Sequence, residues 1–237
     1  MIDRIFSPGD EPESGQGTTR ATALYRAIRQ DIIRGEWPPN EWLRIPLLRQ
    51  RYGAGASPVR EALNRLTSEG LVRQIDQRGF TVAGISEADL EEIAFTRSAL
   101  NRIMMPAILE RGDEAWEESV VLAHFRLSKT PPFSSDGQLN EEYLARHRSF
   151  HMAILMPCGS RWLLELSAKL FDLTERHQNL AMRSDLFGTR DVASEHAEIV
   201  KALLSRDVEW SIRVMDEHVG STVRLVREAT NPKEGAF

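Results

Sequence analysis

Ser57-Pro58-Val59-Arg60-Glu61-Ala62-Leu63-Asn64-Arg65-Leu66-Thr67-Ser68-Glu69-Gly70 is the stretch on which the reading of this 237-residue chain turns. Its pattern predicts one short helix. Ser57 suits the N-cap, and Pro58 suits the first helical position, where no backbone N–H is needed. Gly70 closes the other end. Val59, Ala62, Leu63 and Leu66 recur at helical spacing and form one buried stripe, leaving Arg60, Glu61, Asn64 and Ser68 on the opposite face. An Arg and an Asn one turn apart on an exposed face can reach base edges and phosphates, or simply stand in solvent. The helix alone leaves both open.

Its neighbours predict a motif. Ala21 to Glu36 reads as a helix with Leu24, Ala27, Ile28 and Ile32 inward, stopped by Gly35 and Pro38-Pro39. A short helix fits Pro46 to Tyr52, and Gly53-Ala54-Gly55-Ala56 turns the chain into the opening stretch. Two helices joined by a glycine-containing turn make a helix-turn-helix, whose second helix enters the major groove of DNA. After Gly70 the period changes. Leu71 to Ile75 and Phe80 to Ala83 read as two short strands around the turn Asp76-Gln77-Arg78-Gly79. Three helices and a hairpin make a winged helix with Arg78 at the wing tip.

Charge is unevenly distributed. The whole chain carries −5, but residues 18–85 hold eleven Arg against six acids, a net of +5. Residues 86–237 hold eighteen basic and twenty-five acidic residues, a net of −7. Such asymmetry suggests a basic nucleic-acid module joined to an acidic one. No apolar run approaches the roughly 18 residues needed to span a membrane. Residues 1–17 lack the basic start and apolar core of a signal peptide and read as a flexible tail, as do residues 230–237. The single cysteine, Cys158, excludes an internal disulfide framework and fits a reducing cytoplasm.

From residue 86 to residue 229 strand signals stop. A long helix after Ser86, with Ala88, Ile93, Ala94, Leu100, Ile103 and Met104 as buried candidates, is followed by helices near Asp113 to Leu127, Gln138 to Leu155, Ser160 to Ala181, Val192 to Leu204, and from Asp207 to Ala229. The expected fold is mainly α, a winged helix-turn-helix followed by an all-α bundle. His147 and His151 stand four apart on one helix, so their rings share a face. His196 and His218 lie at similar distances on either side of the turn at Ser205-Arg206-Asp207 and can face each other across an antiparallel pair. Four neutral imidazoles converging in a bundle can hold a divalent transition metal such as zinc or nickel. Spacing alone equally allows ordinary surface or core histidines.

Pro58-Val59-Arg60-Glu61-Ala62-Leu63, with Arg65-Leu66, Glu69-Gly70-Leu71-Val72 and Arg78-Gly79, resembles the N-terminal domain of GntR-family bacterial transcription regulators. Ile33-Arg34-Gly35-Glu36-Trp37-Pro38-Pro39 and Leu43 match that pattern too. The resemblance implies DNA contacts from Ser57, Arg60 and the wing tip Arg78-Gly79, with Asn64 beside Arg60 on the same helix face. Gly55-Ala56-Ser57 departs from the family's usual Ser-Arg-Thr. An Arg often used on DNA is thus missing, so Arg60 and Asn64 carry more of the sequence reading, or the operator is unusual. Pro39-Asn40 stands where Pro-Gly is usual.

Phe150-His151, Glu195-His196 with Ile199 and Ala202, Asp207, and His218 resemble the C-terminal FCD domain of the FadR subgroup. That resemblance implies His151, His196 and His218 as metal ligands, with His147 in the place of a more usual Asp or Asn. It also implies effector-carboxylate binding by Arg97, although Thr96 and Asn101 stand where the family often has Glu. The expected protein is therefore a regulator, with repression as the family's usual mode. It would be a homodimer on a palindromic double-stranded DNA operator, responsive to a small carboxylate effector at a metal site, and located in the bacterial cytoplasm on the nucleoid. Two other readings of the histidines remain. One is a regulator that senses the metal itself. The other is a metal-dependent hydrolase or lyase, against which no general base is recognisably poised.

Overall fold

The computed structural model describes residues 20–182 and 190–230; the terminal tails expected at 1–17 and 230–237 fall almost wholly outside them. The chain divides into two compact units between Ser86 and Glu87.

The first unit contains α1 (Arg20–Ile33), α2 (Ile45–Tyr52), α3 (Ala56–Glu69), β1 (Val72–Ile75) and β2 (Gly79–Val82). β1 and β2 pair antiparallel, with Val72 opposite Val82 and Ile75 opposite Gly79, and Trp42 bridges to Thr81 on the other edge of β2. Ile28 and Ile32 of α1, Leu48 of α2, Val59, Leu63 and Leu66 of α3, and Val82 of β2 are all buried. They are the inward stripes that the periodicity marks, and together they form one small core. At the far end of α3, Arg29 Nε donates to Glu69 Oε2 at 3.1 Å, and the Tyr25 hydroxyl donates to the same carboxylate. Burial, followed by that carboxylate, pushes the Tyr25 hydroxyl up to about 12.

The start of α3 differs from expectation. The helix begins at Ala56 with Gly55 as N-cap, and the Gly55 carbonyl accepts from Val59 N at 3.3 Å. Ser57 is therefore in the first turn and caps nothing. Pro58 sits at the third helical position, which is still among the N–H groups without an intrahelical acceptor, so its missing donor costs the helix no bond. Asn40 adopts φ +67° where glycine is usual in the resembling family; Asn is among the few side chains that tolerate the left-handed region.

The second unit contains α4 (Glu87–Arg111), α5 (Glu114–Ser128), α6 (Glu141–Leu155), α7 (Arg161–Met182), α8 (Val192–Leu204) and α9 (Val208–Thr230), with a 3-10 turn at Met156–Cys158. α4 packs along α9 and α7, α5 against α6 and α8, and α8 against α9. Ala88 and Ile103, expected in the core, are exposed. The stripe of α4 that turns inward runs through Leu90, Ile93, Leu100, Met104 and Ile108, and both outliers fall beside it.

Side chains close the ends of these helices. Asp113 and Asn140 cap α5 and α6 by accepting from Trp116 N and Glu142 N. In the α8–α9 turn, Arg206 takes φ +60° and its Nη1 donates to the Leu109 and Gly112 carbonyls at 2.7 and 2.8 Å. Its guanidinium also lies over the Trp116 ring. One residue thus binds the α8–α9 turn to the end of α4 and the start of α5. None of the described helices is long and apolar enough to cross a membrane.

Candidate functional site

The first unit presents an open groove between α3, the start of α2 and the wing. Arg60, Asn64, Arg78 and Gly79 line it, so four of the five residues singled out for DNA share one surface. Arg60 and Asn64 are exposed on the outer face of α3, one turn apart. The Arg78 guanidinium lies 5.7 Å from the centre of the Trp42 ring, which steadies it at the wing tip. Ser57 is exposed at the start of α3 but is not part of the groove wall.

In the second unit, His147, His151, His196 and His218 converge. Each offers a ring nitrogen, these atoms all lie within 4.8 Å of one another, and all four residues are buried. α6 supplies the first two, α8 the third and α9 the fourth. His147 Nε2 and His151 Nε2 are 3.2 Å apart. Burial is the main reason all four imidazoles are held neutral: it lowers His147 to about 3 and His218 to about 4, and it pushes His151 and His196 well below their ordinary value. Neutral imidazole is the form that binds metal.

The cluster fits a cation. His196 Nε2 is buried without a hydrogen-bond partner. Orphaned polar atoms of this kind are rare in folded interiors and costly. An ion shared by the four rings would satisfy the nitrogens that face one another, and a separation near 3 Å is what metal–nitrogen bonds of about 2.0–2.1 Å give adjacent ligands.

The surroundings orient the rings. His218 Nδ1 donates to Glu195 Oε2 at 2.7 Å, which leaves Nε2 to point at the other histidines. Arg190 Nε donates to the other oxygen of Glu195 at 2.8 Å, and Arg190 also reaches the His218 carbonyl and the Thr222 hydroxyl. Burial opposes ionisation of Glu195, but the hydrogen bonds from Arg190 and His218 outweigh it and hold the carboxyl down at about 2. His147 Nδ1 lies 3.6 Å from Glu175 Oε1, and its ring stacks on Tyr143. Phe150 and Phe171 close the apolar wall.

A cavity of about 470 Å³ opens onto His196, with Arg190, Lys129, Tyr143 and His124 among its lining residues. Arg97 lies elsewhere around the cluster, over the Phe171 ring, and shares with Asn101 and His151 a space of only about 20 Å³. Burial lowers the Arg97 guanidinium to about 10 against the opposing pull of Glu175 and Asp172.

Sequence reasoning did not assign Glu195, Arg190, Lys129 or Glu175 to this centre. Only Glu195 carried a signal, as the neighbour of His196. His124, for which spacing suggested no role, lines the cavity, whereas His177 turns its Nδ1–H to the Leu173 carbonyl at 2.8 Å.

A basic winged helix joined to a helical module with a buried polyhistidine centre defines a DNA-binding transcriptional regulator rather than an enzyme. Comparison with known proteins agrees. The family described as "Bacterial regulatory proteins, gntR family" matches residues 20–82, and the FCD domain matches residues 92–221. The chain belongs to the GntR family, with an FCD domain as its second part. It is 33% identical over 208 residues to the HTH-type transcriptional repressor GlaR of Escherichia coli K12, covering 86% of this chain and 94% of that protein. It is 30% identical over 228 residues to the HTH-type transcriptional regulator BphR of Paraburkholderia xenovorans LB400, covering 95% and 93%. Among solved structures, E. coli McbR/YncC shares the fold with a TM-score of 0.76 at 18% identity, over 91% of this chain and all of that one.

Proposed function

We propose that this regulator is a repressor that binds a palindromic operator as a homodimer, and that a small carboxylate effector held at a divalent metal in the four-histidine centre modulates that binding. The observation that carries the proposal is the buried cluster of neutral imidazoles beside a cavity containing Arg190 and Lys129. His147, His151, His196 and His218 would hold the ion, zinc or nickel by the softness of an all-imidazole site. When bound, the ion would supply a Lewis-acid anchor for a carboxylate oxygen. Arg190 and Lys129 would neutralise the rest of the anion's charge, and Arg97 would add to the positive potential beside His147 and His151. Ser57, Arg60, Asn64, Arg78 and Gly79 would contact the operator. Repression fits the E. coli relative GlaR, a transcriptional repressor. The protein would act in the bacterial cytoplasm, on the nucleoid.

The effector acts only if it binds one arrangement of the DNA-binding units better than another. A thermal-shift screen of organic and sugar acids, with and without a chelator, tests the reading. A carboxylate that raises the melting temperature only in metal-loaded protein, and that also changes operator affinity, supports it. Stabilisation that survives complete chelation separates effector from metal and overturns it.

One observation favours a second reading. Four histidines can complete a tetrahedral shell by themselves, leaving no open position for a ligand. The metal would then be the signal, and metal addition alone would change DNA binding with no organic acid present.

A further inference from the structure

The electrostatic anchorage of DNA has a gap on α3. Ala56, Ser57 and Pro58 form its first turn and carry no charge. Arg65 does not fill the gap, because its guanidinium stacks on the Tyr25 ring at 3.9 Å. Other arginines of the unit are also engaged internally, Arg29 with Glu69 and Arg51 with Asp31. Among the described residues, Arg60 is left to supply the positive charge on the outer face of the helix.

Arg44 shares the groove with it. It lines the same concavity as Arg60, Asn64 and Arg78, and no acidic residue shares that lining. Arg44 is exposed and makes no ion pair with any described residue. Its backbone is held firmly. It is the N-cap of α2, and its carbonyl accepts from Leu48 N at 3.0 Å. The preceding residue, Leu43, is buried and donates to the Phe80 carbonyl at 2.9 Å, while Trp42 bridges to Thr81. Its backbone is therefore tied to the wing and to α2 at once, and none of the described residues takes up its charge.

We propose that Arg44 is a DNA-phosphate contact that anchors the duplex beside α3. The first helix of a helix-turn-helix crosses the sugar–phosphate backbone while the second enters the major groove, so a cation at the start of α2 meets phosphate rather than base edges. The proposal rests on α3 being the helix that reads the operator.

The test uses the full-length protein and a duplex selected by it from a random-sequence library, read by fluorescence anisotropy across a salt series. Arg44→Ala is expected to weaken binding by roughly threefold to tenfold, to make the fall of log affinity with log salt shallower by about one, and to leave the preferred sequence unchanged. Arg44→Lys should recover most of the affinity, because a phosphate accepts a point charge. Arg26→Ala removes another exposed charge, from α1 and outside the groove, and is the reference. Arg44→Ala binding like Arg26→Ala overturns the proposal, and so does an altered sequence preference, which would make Arg44 a base reader. Arg60→Ala is run in parallel. Weaker binding at Arg44 with none at Arg60 keeps the phosphate contact and overturns the reading of α3.

Discussion

His218 shows how much a single side chain depends on partners far away in sequence. Its Nδ1–H goes to Glu195, Glu195 is held by Arg190, and the free face of the ring turns to three other imidazoles. Removing the carboxylate's charge should loosen this orientation, so Glu195→Gln is expected to weaken metal affinity about 10- to 100-fold. Competition against a chromophoric chelator measures it, and unchanged affinity would show that His218 is oriented without help. The double variant His151→Ala, His196→Ala should purify without stoichiometric metal by elemental analysis; retained metal places the ion elsewhere. In the other unit, Arg60→Ala should cost about 1–3 kcal/mol of operator binding and relax the preference at one base position. Full affinity with the original preference would mean that α3 does not read the groove.

At the scale of elements, termination matters as much as periodicity. α3 ends on Gly70 at φ +81°, whose N–H closes onto the Leu66 and Thr67 carbonyls. No atom stands within 4 Å of where a Cβ would be, so Gly70→Ala meets only the left-handed backbone penalty. That penalty is about 1–2 kcal/mol. A fall of that size in the unfolding free energy is expected from chemical denaturation, and no change would mean the turn rearranges freely. The apolar spacing predicts α3 itself almost to the residue, and it predicts α8 from Val192 to Leu204. It does not predict the N-cap. Ser57 has the better capping chemistry, but the turn from Gly53 to Gly55 already delivers the chain in helical register at Ala56, and Pro58 is tolerated throughout the first turn. The exposure of Ile103 has a similar cause: a 25-residue helix touching several neighbours buries a stripe whose phase those neighbours set.

For the whole molecule, the charge asymmetry is the feature with the widest consequence. A net +5 over residues 18–85 sits on the unit that meets DNA, while the −7 lies on residues 86–237 and keeps them from competing for it. The histidine centre joins α6, α8 and α9, so an ion bound there ties three helices of the second unit together. Chelation should therefore lower the melting temperature by linkage. Calorimetry of metal-loaded and stripped protein checks this, and identical transitions would mean that the ion, if bound, holds nothing together.

The sequence by itself determined the two-part organisation, the winged helix, the helical character of the second unit's described residues, and the histidines worth watching. Each of these is a local pattern, written in spacing of three to four residues, in turn glycines and prolines, and in charge counted along the chain. Only the tertiary structure decided that the four histidines from three helices meet, that Glu195 and Arg190 stand behind them, that Lys129 and His124 line a shared cavity, and that Arg44 shares a groove with Arg60. Those juxtapositions depend on crossing angles and helix phases set by packing between distant segments, and helical periodicity does not encode them.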